Sequence, residues 1–163
     1  MDDTDRRHLT RCVDLAEAAL AAGDDPFGSI LVTADGTVLR EEKNRCGAGD
    51  ETLHPEFELA RWAANNMTPE ARAGATVYTS GEHCPMCSAA HAWVGLGRIV
   101  YAGSSAQLVE WRKGFGAAPS PVAALPVQII APGLPVDGPE PSLSDRLKAM
   151  HRRSYDARTA RAK

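Results

Sequence analysis

The chain has 163 residues, of which 44% are apolar and 24% are charged, and its net charge at pH 7 is −3. This composition is typical of a globular protein and gives no sign of a general nucleic-acid binder or of a membrane-spanning segment. The acidic N-terminus also lacks the layout of a signal peptide. We therefore expect a single domain over residues 1–163 in the cytoplasm, where its four cysteines are thiols or metal ligands and not disulfides.

The first third of the chain predicts one helix and a hairpin. Apolar residues recur at helical spacing over residues 4–22, and Gly23 ends the pattern. Two β-rich runs follow, at residues 29–33 and 37–39, and Ala34-Asp35-Gly36 between them has the composition of a turn. These two strands should form an antiparallel edge of the sheet.

Helices and strands alternate in the rest of the chain, which predicts an α/β fold with partly parallel strands. The predicted helices cover residues 55–65 and 85–94, and the predicted strands cover residues 75–79, 98–102 and 127–130. Residues 114–126 and 132–141 read as loops. A basic C-terminal helix opens at about residue 142, behind an N-cap-like serine.

Cys84 and Cys87 form a C-x-x-C motif at the start of a predicted helix. Two thiols three residues apart lie on one helical turn and can bind one metal ion. The positive end of the helix dipole favours thiolates there, and thiolate is the form that zinc binds. A buried or redox-active pair of cysteines is the alternative interpretation.

His54 and Glu56 flank Pro55 at the start of another predicted helix. Proline suits the first helical position and keeps the preceding residue extended, so the His54 imidazole can turn away from the helix. If both helix starts meet at the carboxyl edge of the sheet, His54 becomes a third ligand beside the cysteines. A fourth position left to water is typical of catalytic zinc. Glu58 offers a hard carboxylate that suits two thiolate neighbours poorly, and we expect it on the helix surface.

The combination of H-x-E with a later C-x-x-C is the pattern of zinc nucleobase deaminases. Over most of its length the chain resembles the cytidine/deoxycytidylate deaminase-like superfamily, and within it the branch of guanine deaminases, cytosine deaminases and tRNA adenosine deaminases. The sequence Pro26-Phe27-Gly28 looks more like the guanine deaminase type than the tRNA type. The other stretches that carry the resemblance are residues 25–32, Asn44, residues 78–82 and residues 98–102.

The resemblance implies a three-layer α/β/α sandwich around a mixed sheet of about five strands, as in cytidine deaminases. It implies one zinc ion (Zn²⁺) per subunit, with His54, Cys84 and Cys87 as ligands and Glu56 as the catalytic residue that carries protons. The implied reaction is hydrolytic removal of ammonia from a free nucleobase or a related aminated heterocycle. The family also implies a homodimer.

Further residues are candidates for contacts to the heterocycle. Asn44 falls where the family keeps a base-binding asparagine, although asparagine also favours turns. Phe27 would wall the base or pack in the core. Trp111 lies in a region where the family closes over its ligand, which we expect to be a loop, and it could stack on a base. Trp93 and His91 follow the cysteines, and we expect a core tryptophan and a buried, hydrogen-bonded histidine.

Pro55 and His83 depart from the family pattern. The family usually has a small residue between its histidine and glutamate, and the backbone N–H of that residue can donate to the substrate. Pro55 has no N–H, so a buried acceptor that faces it would be left unpaired. We therefore expect ordinary guanine or cytosine to be a poor substrate, and a modified purine or a triazine-like ring to be a better one. His83 stands where the family usually has proline.

Two other functions remain open. A tRNA adenosine deaminase is favoured by the basic C-terminal helix, but such a helix is more often a solvated face, and the acidic total charge argues against nucleic acid. A non-catalytic zinc-binding module is the second alternative. Such a module would have no need of Glu56, which argues against it.

Overall fold

The computed structural model describes residues 1–161, which form seven α-helices and five β-strands. Prolines open several of the helices, because the first helical position needs no backbone N–H donor. The helices are α1 Asp3–Ala21, α2 Pro55–Asn66, α3 Pro69–Ala73, α4 Pro85–Trp93, α5 Ser105–Phe115, α6 Val127–Ile130 and α7 Ser144–Arg161. The strands are β1 Gly28–Val32, β2 Val38–Lys43, β3 Thr76–Gly81, β4 Arg98–Gly103 and β5 Val136–Asp137.

The five strands form one mixed sheet with the order β2-β1-β3-β4-β5. Strand β1 is antiparallel to both β2 and β3, whereas β3, β4 and β5 are parallel to one another. The short turn after β1 allows the antiparallel hairpin, and the α4 crossover between β3 and β4 allows parallel pairing. The predicted antiparallel edge and the mixed five-stranded sheet are confirmed.

Helices cover both faces of the sheet and make three layers. Successive side chains of a strand point to opposite faces, so Val77 and Tyr78 of β3 enter different clusters. Tyr78 packs with α1 and α7 through Leu9, Val13, Leu147 and Met150. Val77 packs with α2 and α4 through residues such as Leu59, Ala63 and Ala90.

The prediction of a last strand at residues 127–130 is wrong, because these residues form the short helix α6. The Val127 N–H donates to Glu82 Oε1 at 3.0 Å, and its side chain is buried against Ile99 and Tyr101. The fifth strand is instead Val136–Asp137, inside the predicted loop. A run of four apolar residues is too short for its periodicity to separate a strand from a helix.

Two helices, α3 and α5, were absent from the prediction, and α5 places Trp111 on a helix where we expected a loop. Helix α5 starts with a capping box between Ser104 and Gln107, a signal present in the sequence. The expectation of a core Trp93 is also wrong, since its side chain is 88% exposed. The buried face of α4 consists of Cys87, Ser88 and His91, and Trp93 lies off that face.

An ion pair between the buried Asp5 carboxylate and the partly exposed Arg98 ties α1 to the sheet. Asp5 accepts two hydrogen bonds of 2.9 Å from Arg98 and one of 2.8 Å from Tyr78. Arg98 also donates to Asp137 at 2.7 Å. One group of four side chains therefore joins the first helix to β3, β4 and β5. In the described part of the chain, no helix is long and apolar enough to cross a membrane.

Candidate metal centre and active site

The starts of α2 and α4 share one local design. His54 and Cys84 are the N-caps of these helices, both with extended backbones, and Pro55 and Pro85 are the first helical residues. Proline disfavours a helical conformation in the residue before it, so each N-cap stays extended. As a result, the side chains of His54 and Cys84 project ahead of their helices instead of along them.

The structure brings His54, Cys84 and Cys87 together. The Nδ1 atom of His54 lies 3.6 Å from the Sγ atoms of both cysteines, and all three ligand atoms lie within 4.8 Å of one another. Tetrahedral zinc, with a Zn–S bond of about 2.3 Å and a Zn–N bond of about 2.0 Å, separates a sulfur and a nitrogen ligand by roughly 3.5 Å. The three residues therefore fit a zinc ion without rearrangement and form a candidate metal site.

The charges of this group also suit a metal. The Cys87 thiol and then the His54 imidazole lower the pKa of Cys84 to about 4, against the opposing effect of burial. In return, the hydrogen bond to Cys84 raises the pKa of His54. The resulting thiolate is the form that binds zinc, and metal binding would displace a proton from this pair.

Glu56 is the second residue of α2 and is 5% exposed. Its Oε1 atom lies 2.6 Å from Thr79 Oγ1 and 3.0 Å from Ser29 Oγ. Ser29 and Thr79 are direct cross-strand partners on β1 and β3, so their hydroxyls hold the carboxylate from the side of the sheet. Burial raises the pKa of Glu56. Cys84, burial and the Glu56 carboxylate together raise the pKa of Cys87, so Glu56 lies close to the candidate metal ligands.

Asn44 is buried in the loop after β2, and both ends of its side chain face Cys46. Its Oδ1 atom accepts the Cys46 N–H at 3.0 Å, and its Nδ2 atom lies 3.3 Å from the Cys46 Sγ atom. This is the turn role that the sequence left open for Asn44. A contact to a base would require the side chain to exchange these partners.

Phe27 and Trp111 line one small cleft at the end of β3 and β4, together with His151 of α7. The His151 ring lies 5.1 Å from the Phe27 ring and 6.0 Å from the Trp111 ring, measured between centroids. None of the three metal ligands lines this cleft. His151 was missed in the sequence, although it directly follows Met150 on the buried side of α7.

Glu58 lies on the surface of α2, as expected. Its carboxylate accepts hydrogen bonds from Arg45 and Arg61, at 3.3 Å and 3.2 Å. His91 is buried and hydrogen-bonded to the Gly97 carbonyl at 2.8 Å, as also expected.

Comparisons with known proteins show which family the chain resembles. The profile of the cytidine and deoxycytidylate deaminase zinc-binding region matches residues 2–103. A probable cytosine deaminase of Schizosaccharomyces pombe is 28% identical over 141 residues, which are 81% of this chain and 86% of that protein. A tRNA-specific adenosine deaminase of Agrobacterium fabrum is 36% identical over 90 residues, 53% of this chain and 59% of that protein.

The X-ray structure of guanine deaminase from Bacillus subtilis superimposes with a TM-score of 0.57 at 28% identity and covers 77% of this chain and 83% of that one. The profile match includes His54, Glu56 and both cysteines of the C-x-x-C motif. The chain therefore belongs to the cytidine and deoxycytidylate deaminase family of zinc-binding hydrolytic deaminases.

Proposed function

We propose that this protein is a zinc-dependent deaminase of a free nucleobase or a related aminated heterocycle, with Glu56 as its catalytic residue. The observation that carries the proposal is the buried Glu56 carboxylate beside the group of His54, Cys84 and Cys87. A zinc-binding module without catalysis would gain nothing from a desolvated carboxylate there, because an unpaired buried charge is costly.

The proposed reaction divides the chemistry between metal and carboxylate. Zinc, when bound, supplies a polarised water as the nucleophile. Glu56 would accept one proton of the attacking water and pass it to a ring nitrogen of the heterocycle. It would then move the second proton of that water, released as the added hydroxyl becomes the product carbonyl, to the amine that leaves as ammonia. A raised pKa suits a group that must accept and return a proton near neutral pH. The hydroxyls of Ser29 and Thr79 hold the carboxylate in one orientation throughout.

Pro55 supports a substrate other than the commonest bases. It is buried at the start of α2, between the ligand His54 and Glu56, and it offers no N–H. We propose that the substrate is a guanine-like or modified purine, or a cytosine- or triazine-like ring, that needs no donor at this position. Phe27, Trp111 and Asn44 remain the proposed contacts to the ring.

The charges of α7 support a small substrate over tRNA. Phosphate binding needs cations that are free to contact the backbone of the nucleic acid. Arg146 and Arg158 instead pair with Asp14 and Asp25 at 2.9 Å and 2.7 Å, and Arg153 pairs with Glu17. Three of the six basic residues in α7 are therefore used to attach this helix to the rest of the fold.

We also propose a homodimer that forms through α4. Helix α4 has no Lys, Arg, Asp or Glu, and its last residue, Trp93, is almost fully exposed. Helix α6 packs against α4 and adds Ile129, which is also exposed. An uncharged apolar face can meet its own copy without like-charge repulsion, and such patches are rare on monomers. The cytoplasm is the proposed location, and the absence of disulfides among the four cysteines is consistent with it.

A panel of ammonia-release assays tests the proposed function. The zinc-loaded protein is incubated with guanine, cytosine, modified purines, aminated triazines and a tRNA that carries adenosine in its anticodon loop. We expect ammonia from at least one small heterocycle and none from the tRNA. Inosine formed in the tRNA would favour the editing function, and inactivity on the whole panel would favour the non-catalytic zinc module.

A further inference from the structure

His83 and His91 form a buried pair of imidazoles outside the metal ligand group. Each is 1% exposed, and their ring centroids lie 5.2 Å apart with the planes at 76°. Within residues 1–161, four buried side-chain nitrogen or oxygen atoms lack a hydrogen-bond partner, and three of them are His83 Nδ1, His83 Nε2 and His91 Nδ1. Because native proteins satisfy nearly all such atoms, this concentration calls for a physical explanation.

The tautomer of His91 follows from its one hydrogen bond. Its Nε2 atom lies 2.8 Å from the Gly97 carbonyl, which can only accept, so Nε2 carries the hydrogen. A neutral imidazole carries a single ring hydrogen, and its other ring nitrogen is an acceptor. His91 Nδ1 is therefore an unpaired acceptor, and His83 has one N–H that lacks an acceptor.

The separation of the rings suits a direct bond between them. With each nitrogen roughly 1 Å from its ring centre and a hydrogen bond of about 3 Å, two imidazoles bond directly at centroid distances of about 5 Å. A half-turn of the His83 ring exchanges its nitrogen and carbon edges within the same space. We propose that His83 donates its ring N–H to His91 Nδ1, and that this bond positions Cys84 for the metal.

The position of His83 in the chain explains how such a bond acts on the ligand. His83 directly precedes Cys84, and its carbonyl accepts the Ser88 hydroxyl at 3.3 Å. The proposed bond would also tie the His83 side chain to His91, near the end of α4. His91 is itself held by its hydrogen bond to the Gly97 carbonyl. Cys84 and Cys87 both lie within the segment that is held in this way. His83 and His91 are thus positioning residues, since neither belongs to the ligand group.

This inference rests on the metal centre of the proposed function and not on the substrate, so it is tested without turnover. Nitrogen-15 NMR of the histidine rings in the zinc-loaded protein reads the tautomers directly. We expect protonated Nε2 on His91 and a slowly exchanging N–H on His83, with a scalar coupling across the hydrogen bond to His91 Nδ1. A His91 ring protonated at Nδ1, or a rapidly exchanging His83 proton, would overturn the proposal.

Zinc release to a chromogenic chelator tests the consequence for the metal. Loss of a residue that orients a ligand typically weakens metal binding 10- to 100-fold. We expect His83→Leu and His91→Leu each to accelerate release about tenfold or more, and the double variant to add nothing to either. His83→Gln supplies an amide N–H that can still donate to His91 Nδ1. Its rate of zinc release should therefore stay within about threefold of the wild type.

The matched control is His8→Leu, which removes a half-buried imidazole from α1 on the opposite face of the sheet. Its release rate should equal that of the wild type. Release from His83→Leu at the wild-type rate, or from His83→Gln as fast as from His83→Leu, would overturn the positioning role. If the leucine variants do not fold, the NMR measurement on the wild type decides.

Discussion

At the scale of single residues, Pro55 separates two functional groups that need opposite directions. The ring fixes the first turn of α2, so His54 stays extended toward the cysteines while Glu56 lies inside the helix over Ser29 and Thr79. No hydrogen bond is lost within the helix, because the N–H of a first helical residue has no intrahelical partner. The missing donor therefore affects only what binds in front of the helix.

Replacing Glu56 with glutamine should abolish turnover and keep the metal. The amide has nearly the same shape, but it cannot take up and return a proton, and general acid–base catalysis typically contributes about 10²- to 10⁴-fold in rate. We expect kcat to fall by at least this factor, with one zinc per chain by metal analysis. Glu58→Gln changes a surface carboxylate of the same helix and should leave kcat unchanged. Near-full activity of Glu56→Gln would exclude the proposed proton carrier.

Restoring the backbone donor with Pro55→Ala should change substrate preference. A hydrogen bond that satisfies a buried acceptor is worth about 1–3 kcal/mol, or roughly a 5- to 150-fold change in relative kcat/KM. We expect the ratio of kcat/KM for guanine or cytosine over the best modified heterocycle to rise by that amount. Pro69→Ala removes the corresponding proline from α3 and serves as the control. An unchanged ratio would mean that the missing N–H does not select the substrate.

At the scale of elements, the sequence predicted the helices and strands that carry strong local signals. Prolines at the first helical positions marked the starts of α2 and α4, and a turn sequence marked the hairpin. With the condition that both helix starts meet at one edge of the sheet, these signals led to the prediction that His54, Cys84 and Cys87 lie together, and the structure brings them together as a candidate metal site.

What the sequence could not provide depends on contacts between distant residues. Helix α6 is stabilised at its start by Glu82, 45 residues earlier in the chain, which accepts the Val127 N–H. The exposed position of Trp93 depends on which face of α4 the rest of the fold covers. The capping box of α5, by contrast, is a local signal that the prediction overlooked.

The attachment of α1 to the sheet should fail in acid through Asp5. Burial alone would raise the pKa of Asp5, but hydrogen bonds from Arg98 and Tyr78 lower it to about 2. A carboxyl whose folded pKa is below its unfolded value of 3.8 stabilises the fold above that pH. This stabilisation, about 2 kcal/mol for a shift of this size, should be lost as the pH falls from about 4 to about 2.

Asp5→Asn tests this by urea unfolding at several pH values. The variant should be less stable than the wild type by about 2 kcal/mol at pH 6, and the difference should shrink toward pH 2. Asp3→Asn replaces an exposed carboxylate of the same helix and should follow the wild type. A difference between Asp5→Asn and the wild type that does not change with pH would assign the loss to packing instead of charge.

At the scale of the whole molecule, the most basic helix and the uncharged helix make different kinds of contact. Three of the five arginines of α7 are paired with carboxylates of α1 and the loop after it, so part of the charge of the most basic helix is balanced within the chain. Helix α4, which carries the two cysteine ligands, is the uncharged one and presents apolar side chains outward. A partner that covered α4 would therefore contact the helix that carries both cysteines of the candidate metal site.

Trp93→Lys should convert the proposed dimer into a monomer. Burying a tryptophan at the centre of an interface is among the largest single contributions to association, and a lysine there would meet its own copy as a like charge. We expect sedimentation velocity to show a dimer for the wild type and a monomer for the variant at micromolar concentration. Val109→Lys places the same charge on an exposed apolar position of α5 and should remain dimeric. A monomeric wild type would exclude the α4 interface, and a dimeric Trp93→Lys would move it to another face.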